Sequence, residues 1–511
     1  MSRLTLLFCL LYSSLSFGQQ KYWVYLNERD LNSHPVISPK TVENRRMLGL
    51  EVNQVTDFGP KKQSLEVLKK LNIETVNISR WFNAVSAYLT PTQANSLRFL
   101  PEIKSIEPIS SGYLSYNSES NKSIKIENFQ APFAITQMNG QELIRGGFLA
   151  QKVDVGIIDG GFFEAPDNYL LKHIFDKKKV KAYRDFLYPD KIDFFNTKES
   201  DGDFHGTAVW QLIAGKDSSR SLYTGLATEA NFYLARTESG KQEARIEEDS
   251  WIAAIEWLDS LGVRLANSSL GYTMGFTNPA ESYSPDQMDG KTTLIAKGAQ
   301  IAVKEKGMIL VVAAGNEGEN KKWGGIVASP GDVEEVLSVG ANDKQGLKMG
   351  YSSKGNPAVS FVKPDVTAYS EFGTSLSAPV ITGLAAALLG IKPDLTSDEL
   401  KIILKSSGIL SGVPNTYIGA GYPDVIQIAN VFSGDYKPKA VVNIEGVEEV
   451  NLSEYFSEEL LIFHKISDKV VIDQNYREKP QKNAFLKRPK DIKYTTLVGK
   501  NRIVEVRWKT E

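Results

Sequence analysis

The stretch Gly373-Thr374-Ser375-Leu376-Ser377-Ala378-Pro379, running on through Val380 to Leu389, constrains this chain more than any other. A glycine turn delivers a serine to the start of a helix of small and aliphatic residues. Its interior is apolar nearly all round, the pattern of a buried helix rather than a surface one. Pro379 is expected within the first turn, where its missing N–H costs little. A serine at such a helix mouth has unpaired backbone N–H groups and the positive end of the dipole beside it. Those are the donors a tetrahedral oxyanion needs. Taken alone, Ser375 is equally well an ordinary helix cap, so the rest of the chain must separate the two readings.

At 511 residues the chain has room for one large domain with smaller ones attached. A formal charge of −2 gives no bulk reason to expect nucleic acid or an anionic membrane as a partner. Residues 1–18 read as a secretory signal peptide: Arg3, an apolar core at 4–11, then Ser16-Phe17-Gly18. A secreted, cell-surface or periplasmic location is expected. The single cysteine, Cys9, falls inside that segment. The mature chain would then hold no disulfide and no catalytic thiol. No later run reaches the roughly 18 apolar residues of a membrane helix, so no membrane span is expected in the mature chain.

Residues 19–112 read as a small α+β unit. Strands are expected at 22–26, 73–78, 82–89 and 103–107, with an amphipathic helix at 64–71 and a second helix opened by Thr90-Pro91. The order βαββαβ is that of a ferredoxin-like arrangement. Residues 113–123 are rich in Ser, Asn and Tyr and read as a linker and cleavage region. Over 124–433, short apolar runs at 153–158, 231–235, 263–267, 308–313 and 336–339 alternate with helical patterns at 205–214, 251–261 and 292–305. This predicts an α/β fold with a doubly wound parallel sheet, whose sites sit at the carboxyl ends of strands. Residues 434–511 turn polar and lysine-rich, and a small β-rich module or tail is expected there.

A nucleophilic serine needs a base to take its proton and an acid to orient that base. Of the four histidines, His205 stands in Asp203-Phe204-His205-Gly206-Thr207, at the start of a helix with small neighbours. A zinc reading is weak, because no second ligand stands at the right spacing. Ile157-Ile158-Asp159-Gly160-Gly161 ends a buried strand in a carboxylate that should meet a donor such as an imidazole N–H. Asp159 could also be a plain turn residue; Asp154, earlier on the strand, ranks below it. Ala313-Ala314-Gly315-Asn316 closes an apolar strand with an amide side chain able to face developing negative charge.

Asp159, His205, Asn316 and Ser375, in that chain order and each inside its local motif, resemble the subtilisin-like (subtilase) serine peptidases, secreted bacterial type. Lys363-Pro364-Asp365-Val366 is similar to the segment that family carries ahead of its serine. The resemblance implies that Asp159 orients His205, that His205 is general base and then acid, and that Ser375 attacks the scissile carbonyl. Asn316 and the Ser375 N–H would form the oxyanion hole. Ser269, Leu270 and Gly271 would pair with substrate backbone as an edge strand, and Ala313, Ala314 and Gly315 would wall the specificity pocket. It further implies polypeptide substrates and no required cofactor, with structural calcium left open. Ser79 to Pro91 resembles the inhibitory propeptide of the family, so the N-terminal unit would act as an intramolecular inhibitor until cut between Gly112 and Lys125.

Departures are also visible. Gly160 replaces a small hydroxylated residue, Leu376 and Ser377 vary the usual residues after the serine, and only residues 366–373 separate Asp365 from Thr374. Many relatives carry a longer loop there, with Pro-Gly in place of Tyr369-Ser370. An esterase of the α/β-hydrolase class would need Gly at Ser377 and a histidine last in the chain, where only His464 follows Ser375. A catalytically silent binding protein of the same fold would lack a triad residue, and none is missing.

Overall fold

The computed structural model describes residues 19–109, 130–189, 193–196, 198, 200–239, 247–274 and 282–509. The signal segment at 1–18 and the linker at 113–123, with the expected cleavage region, lie outside the described residues.

The N-terminal unit begins with β1 (Gln20–Leu26), a helix α1 (Pro39–Met47) and a second helix α2 (Lys62–Lys70). It continues with β2 (Thr75–Ser79), β3 (Ala84–Leu89), α3 (Pro91–Leu97) and β4 (Ile103–Pro108). The four strands form an antiparallel sheet in the order β2-β3-β1-β4. Leu68 of α2 and Ala94 and Leu97 of α3 pack with Tyr22, Val24, Leu26, Val85 and Leu89 into its own core. Thr90 caps α3 by accepting the Gln93 N–H, with Pro91 at the first helical position. Helix α1 was not anticipated: Pro-Lys-Thr-Val-Glu-Asn-Arg-Arg-Met has no apolar stripe for periodicity to detect. It is held instead by polar contacts, among them Asn44 to the Gly262 carbonyl at 2.8 Å.

The central layer is a seven-stranded parallel sheet of β5 (Asp154–Asp159), β6 (Val180–Asp185), β7 (Asn231–Arg236), β8 (Leu265–Ser268), β9 (Ile309–Ala313), β10 (Leu337–Asn342) and β11 (Val366–Tyr369). The spatial order is β11-β10-β9-β8-β5-β7-β6. Successive residues feed opposite faces: Ile309, Val311 and Ala313 join one core, Leu310 and Val312 the other. The chain winds from β5 out to β6 and back to β7, then crosses to β8 on the other side of β5. The carboxyl end of β5 is therefore the switch point where such sheets bind ligands.

Helices α4 (His205–Ala214) and α6 (Thr374–Ile391) belong to one core, and α5 (Glu248–Ser260) to the other. Residues 376–389 of α6 are all buried. By length and mean hydropathy (18 residues, 1.7) α6 could cross a membrane, which the count of purely apolar runs did not flag; 83% of it is buried within the protein, the placement of a core helix. The helix begins at Thr374, so Pro379 lies in the second turn rather than the first. The helical pattern expected at 292–305 is an α-helix at Leu294–Gln300 that continues as a π-turn at Ile301–Glu305.

Beyond α6, a five-stranded sheet comprises β12 (Ala440–Val447), β13 (Leu460–Lys465), β14 (Val471–Arg477), β15 (Tyr494–Val498) and β16 (Arg502–Trp508). Its order is β12-β16-β15-β13-β14, with β12 and β16 parallel and the other pairs antiparallel.

Candidate active site

Asp159 closes β5 and is fully buried. Its Oδ1 accepts the Gly160 N–H at 2.8 Å and lies 2.7 Å from Nδ1 of His205, the first residue of α4. A carboxylate taken out of water is costly unless hydrogen-bonded, and these two groups supply the donors. Gly160 has no hydroxyl to add, and Asp159 Oδ2 has no hydrogen-bond partner among the described residues. Two glycines let the strand end and the helix start approach this closely. A Cβ on Gly206 would drive into the Gly161 carbonyl and lie 3.0 Å from Asp159 Cβ. A Cβ on Gly161 would lie 2.7 Å from the Asp203 backbone. The imidazole is partly exposed, its side chain 27% accessible.

Ser375 is the second residue of α6 and is partly exposed, whereas Thr374 and Leu376 are buried. Gly373 precedes it with φ of +143°, a conformation that favours glycine. A Cβ on Gly373 would sit 3.2 Å from Ser375 Oγ and 3.6 Å from Asn316 Nδ2. The hydroxyl and the amide thus face one small open space that glycine keeps clear. Asn316 is oriented by Thr374, whose N–H and Oγ1 both donate to Asn316 Oδ1, at 2.9 and 3.1 Å. With the carbonyl oxygen engaged, the amide nitrogen is the end left for a ligand.

The short loop ahead of the serine is closed by side chains. Ser370 Oγ donates to the Gly373 carbonyl at 2.8 Å, and Tyr351 OH to the Ser370 carbonyl at 2.7 Å. The Ser370 hydroxyl thus ties the turn ahead of the serine.

Ser269, Leu270 and Gly271 follow the end of β8, and Ala313, Ala314 and Gly315 the end of β9. Both runs face Ala328: an added Cβ on Gly271 or Gly315 would meet Ala328 Cβ at 2.9 or 3.1 Å. Ala328 therefore lies between the two predicted walls, a position the sequence alone did not single out. Gly315 is also tied to the serine turn through its N–H, which Thr374 Oγ1 accepts at 3.0 Å.

Asn267 and Thr382 escaped the sequence reading, and they support the serine turn from behind. Pro379 cannot donate to the carbonyl four residues earlier, that of Ser375; Ser269 Oγ donates to it instead, at 2.8 Å. Ser269 Oγ in turn accepts from Asn267 Nδ2 at 3.0 Å, and Asn267 Oδ1 accepts from Thr382 Oγ1 at 2.8 Å. Asn267 and Thr382 are fully buried. Polar residues inside apolar runs were the available signal. Asp154 lies at the opposite end of β5, bound to Asn231 and Lys40. His464 bonds Thr495 within the C-terminal sheet.

Residues 150–421 match the subtilase family, and residues 21–125 match the peptidase S8 propeptide domain of Bacteroidota. The chain is 25% identical to subtilisin DY of Bacillus licheniformis over 303 residues, 58% of this chain and 97% of that protein. It is 22% identical to an alkaline protease of Shouchella clausii over 418 residues, 80% of this chain and 91% of the relative. Among solved structures it resembles the epidermin leader peptide processing protease of Staphylococcus aureus, with a TM-score of 0.53 and 17% identity over 81% of this chain and 99% of that one. Fervidolysin of Fervidobacterium pennivorans gives a TM-score of 0.52 at 16% identity, over 94% of this chain and 70% of that one. The chain belongs to the subtilase family of serine proteases, with a propeptide domain ahead of its peptidase domain.

Proposed function

We propose that this protein is a secreted endopeptidase in which Asp159, His205 and Ser375 form the catalytic triad and Asn316 the side-chain half of the oxyanion hole. The observation that carries the reading is the 2.7 Å bond between Asp159 and His205 Nδ1, on a sheet in which Asn316 follows the end of β9 and the Ser375 turn follows the end of β11. With Nδ1–H donated to the carboxylate, Nε2 is the basic nitrogen, the tautomer a general base requires. Ser375 Oγ attacks the scissile carbonyl carbon as its proton passes to Nε2. The resulting oxyanion accepts hydrogen bonds from Asn316 Nδ2 and the Ser375 N–H. His205 then gives its proton to the leaving amine, and water, deprotonated by the same imidazole, releases the acyl group. Asp159, hydrogen-bonded to Nδ1, stabilises the imidazolium.

Substrate backbone would lie along residues 269–271, with its side chain between that run and residues 313–315. The N-terminal unit at 19–112 would inhibit the enzyme until cleavage between Gly112 and Lys125, and residues 1–18 would direct export. Relatives named as alkaline protease and subtilisin support this assignment. A serine-directed fluorophosphonate should label processed wild-type protein at Ser375, and Ser375→Ala should abolish both labelling and peptide hydrolysis. Correctly processed protein that takes up no label would favour a silent binding protein instead.

A further inference from the structure

Behind the proposed triad lies a buried cation that the reaction does not use. Arg236 ends β7, in parallel register with Asp159 on β5, and its side chain is only 4% accessible. Among the described residues the guanidinium donates at three places. Nε donates to the Gly160 carbonyl at 3.0 Å, Nη2 to Asp203 Oδ1 at 2.8 Å, and Nη1 to Asp185 Oδ2 at 3.3 Å. The Tyr188 ring lies against it, 5.5 Å from the guanidinium carbon.

Two of those three arms hold the backbone segments that carry Asp159 and His205. Gly160 directly follows Asp159. Asp203 stands two residues before His205, in the turn Asp201–Phe204 that feeds α4. Asp203 relays the grip: its Oδ2 accepts the Ser200 N–H at 2.8 Å and its carbonyl accepts the Phe163 N–H at 2.9 Å. The strand end and the helix start are far apart in sequence, and only folding joins them.

We infer that Arg236 is a positioning residue for peptide hydrolysis: its planar fork clamps the Gly160 turn to the Asp203 turn and so sets the Asp159–His205 hydrogen bond. The inference rests on the triad assignment above. Lysine keeps the charge but offers a single point of attachment in place of the fork. It cannot hold both segments at their present separation. Asp185 serves as the internal control, because it shares the guanidinium but touches neither segment. Its other oxygen accepts the Leu187 and Tyr188 N–H groups, both at 2.9 Å.

The test compares Arg236→Lys with Asp185→Asn in the full chain, after maturation. A misplacement of about 1 Å costs on the order of 100-fold in rate, so Arg236→Lys should lower kcat by about ten- to 100-fold with KM within about twofold. The low-field proton resonance of the His205–Asp159 bond should shift with it. Asp185→Asn should lose thermal stability yet keep kcat within about threefold of wild type. A lysine variant with wild-type kcat and an unmoved resonance overturns the inference. So does an asparagine variant that loses as much kcat at equal thermal stability. Should Arg236→Lys fail to fold, Asp203→Asn weakens the same bridge from its other end and is read the same way. Failure of the triad reading is distinct, because it shows in the wild-type chain as absence of Ser375 labelling, while the resonance still reports on the bridge.

Discussion

Pro379 and Ser269 act on one carbonyl. A proline in the second turn of a helix strips a hydrogen bond from the residue four positions earlier, and here that residue is Ser375 itself. Ser269 restores the bond from a different strand, tying the serine to the segment proposed to bind substrate. Ser269→Ala should therefore cost about 1 kcal/mol in denaturant unfolding, the worth of a hydrogen bond to a partly buried carbonyl. Ser269→Thr, which keeps the hydroxyl, should cost less. Asn316 differs in kind, since its Oδ1 is spent on Thr374 and its Nδ2 is the end proposed to meet the oxyanion. Asn316→Ala should lower kcat by about 10²- to 10³-fold with little change in KM, the loss known for the oxyanion-hole asparagine of subtilisin. Steady-state kinetics on a peptide substrate decides it.

At the scale of elements, the N-terminal sheet lies on α5 and covers a row of acids. Asp249 is bonded by Lys21 at 2.7 Å and Asn77 at 2.8 Å, and Asp259 by Arg80. Glu256 accepts from Ser79 Oγ and from the Arg80 N–H at 2.9 Å. Trp23, Trp81 and Ala84 join the core that α5 belongs to, so the interface is apolar around these charges. Burial pushes the Glu256 carboxyl up to about 7 from 4.5, with Arg80 and the hydrogen bonds opposing it only in part. A raised carboxyl favours the protonated form, so its contribution is fully present below about pH 4.5 and is lost as pH rises through about 7. The shift is worth about 3 kcal/mol. Asp57 runs the other way: burial alone would raise it, but Arg45 and Lys306 hold it below 3.8. Its contribution is lost only as pH falls through that lower value. The cleaved N-terminal unit should thus stay bound more tightly at pH 5 than at pH 8. Glu256→Gln should flatten that dependence, as read by co-elution of the two fragments at each pH. A wild-type complex equally tight at both values would refute the assignment.

Over the whole molecule, the C-terminal sheet is joined to the catalytic part through a shared apolar seam. Leu410 and Ile418, both fully buried, pack with Phe463, Val471 and Ile503. Polar ties flank the seam: Gln474 and Lys348 exchange hydrogen bonds at 3.0 and 2.7 Å, and Lys469 Nζ donates to the Val359 carbonyl at 2.9 Å. Removal of residues 434–511 would expose Leu410 and Ile418 at about 2 kcal/mol each. The truncated protein should melt several degrees lower than the full chain, measured on matured samples. Equal melting temperatures would mean the seam contributes nothing to stability.

What could be read from residues alone follows from local physics. The apolar runs at 153–158 and 308–313, the helix from His205 and the capped start at Thr90 were legible because their patterns are short-range and strong. The four proposed site positions stood out in the same way, each embedded in glycine and small residues. Helix α1 and strand β6, with its exposed Tyr183 and Arg184, were not, since neither carries an apolar period. The placement of Pro379 was misread by a turn, because a proline is tolerated inside a helix only when another group meets the freed carbonyl. That group is a serine more than a hundred residues upstream. Sequence by itself determined the elements that carry an apolar period and the inventory of chemical groups. Only the tertiary structure decided which groups meet: Arg236 with the turns around Asp159 and His205, Ser269 with Ser375, Glu256 with Arg80. Such contacts join segments distant in the chain, and no periodicity or local propensity encodes a partner that arrives from elsewhere in the fold.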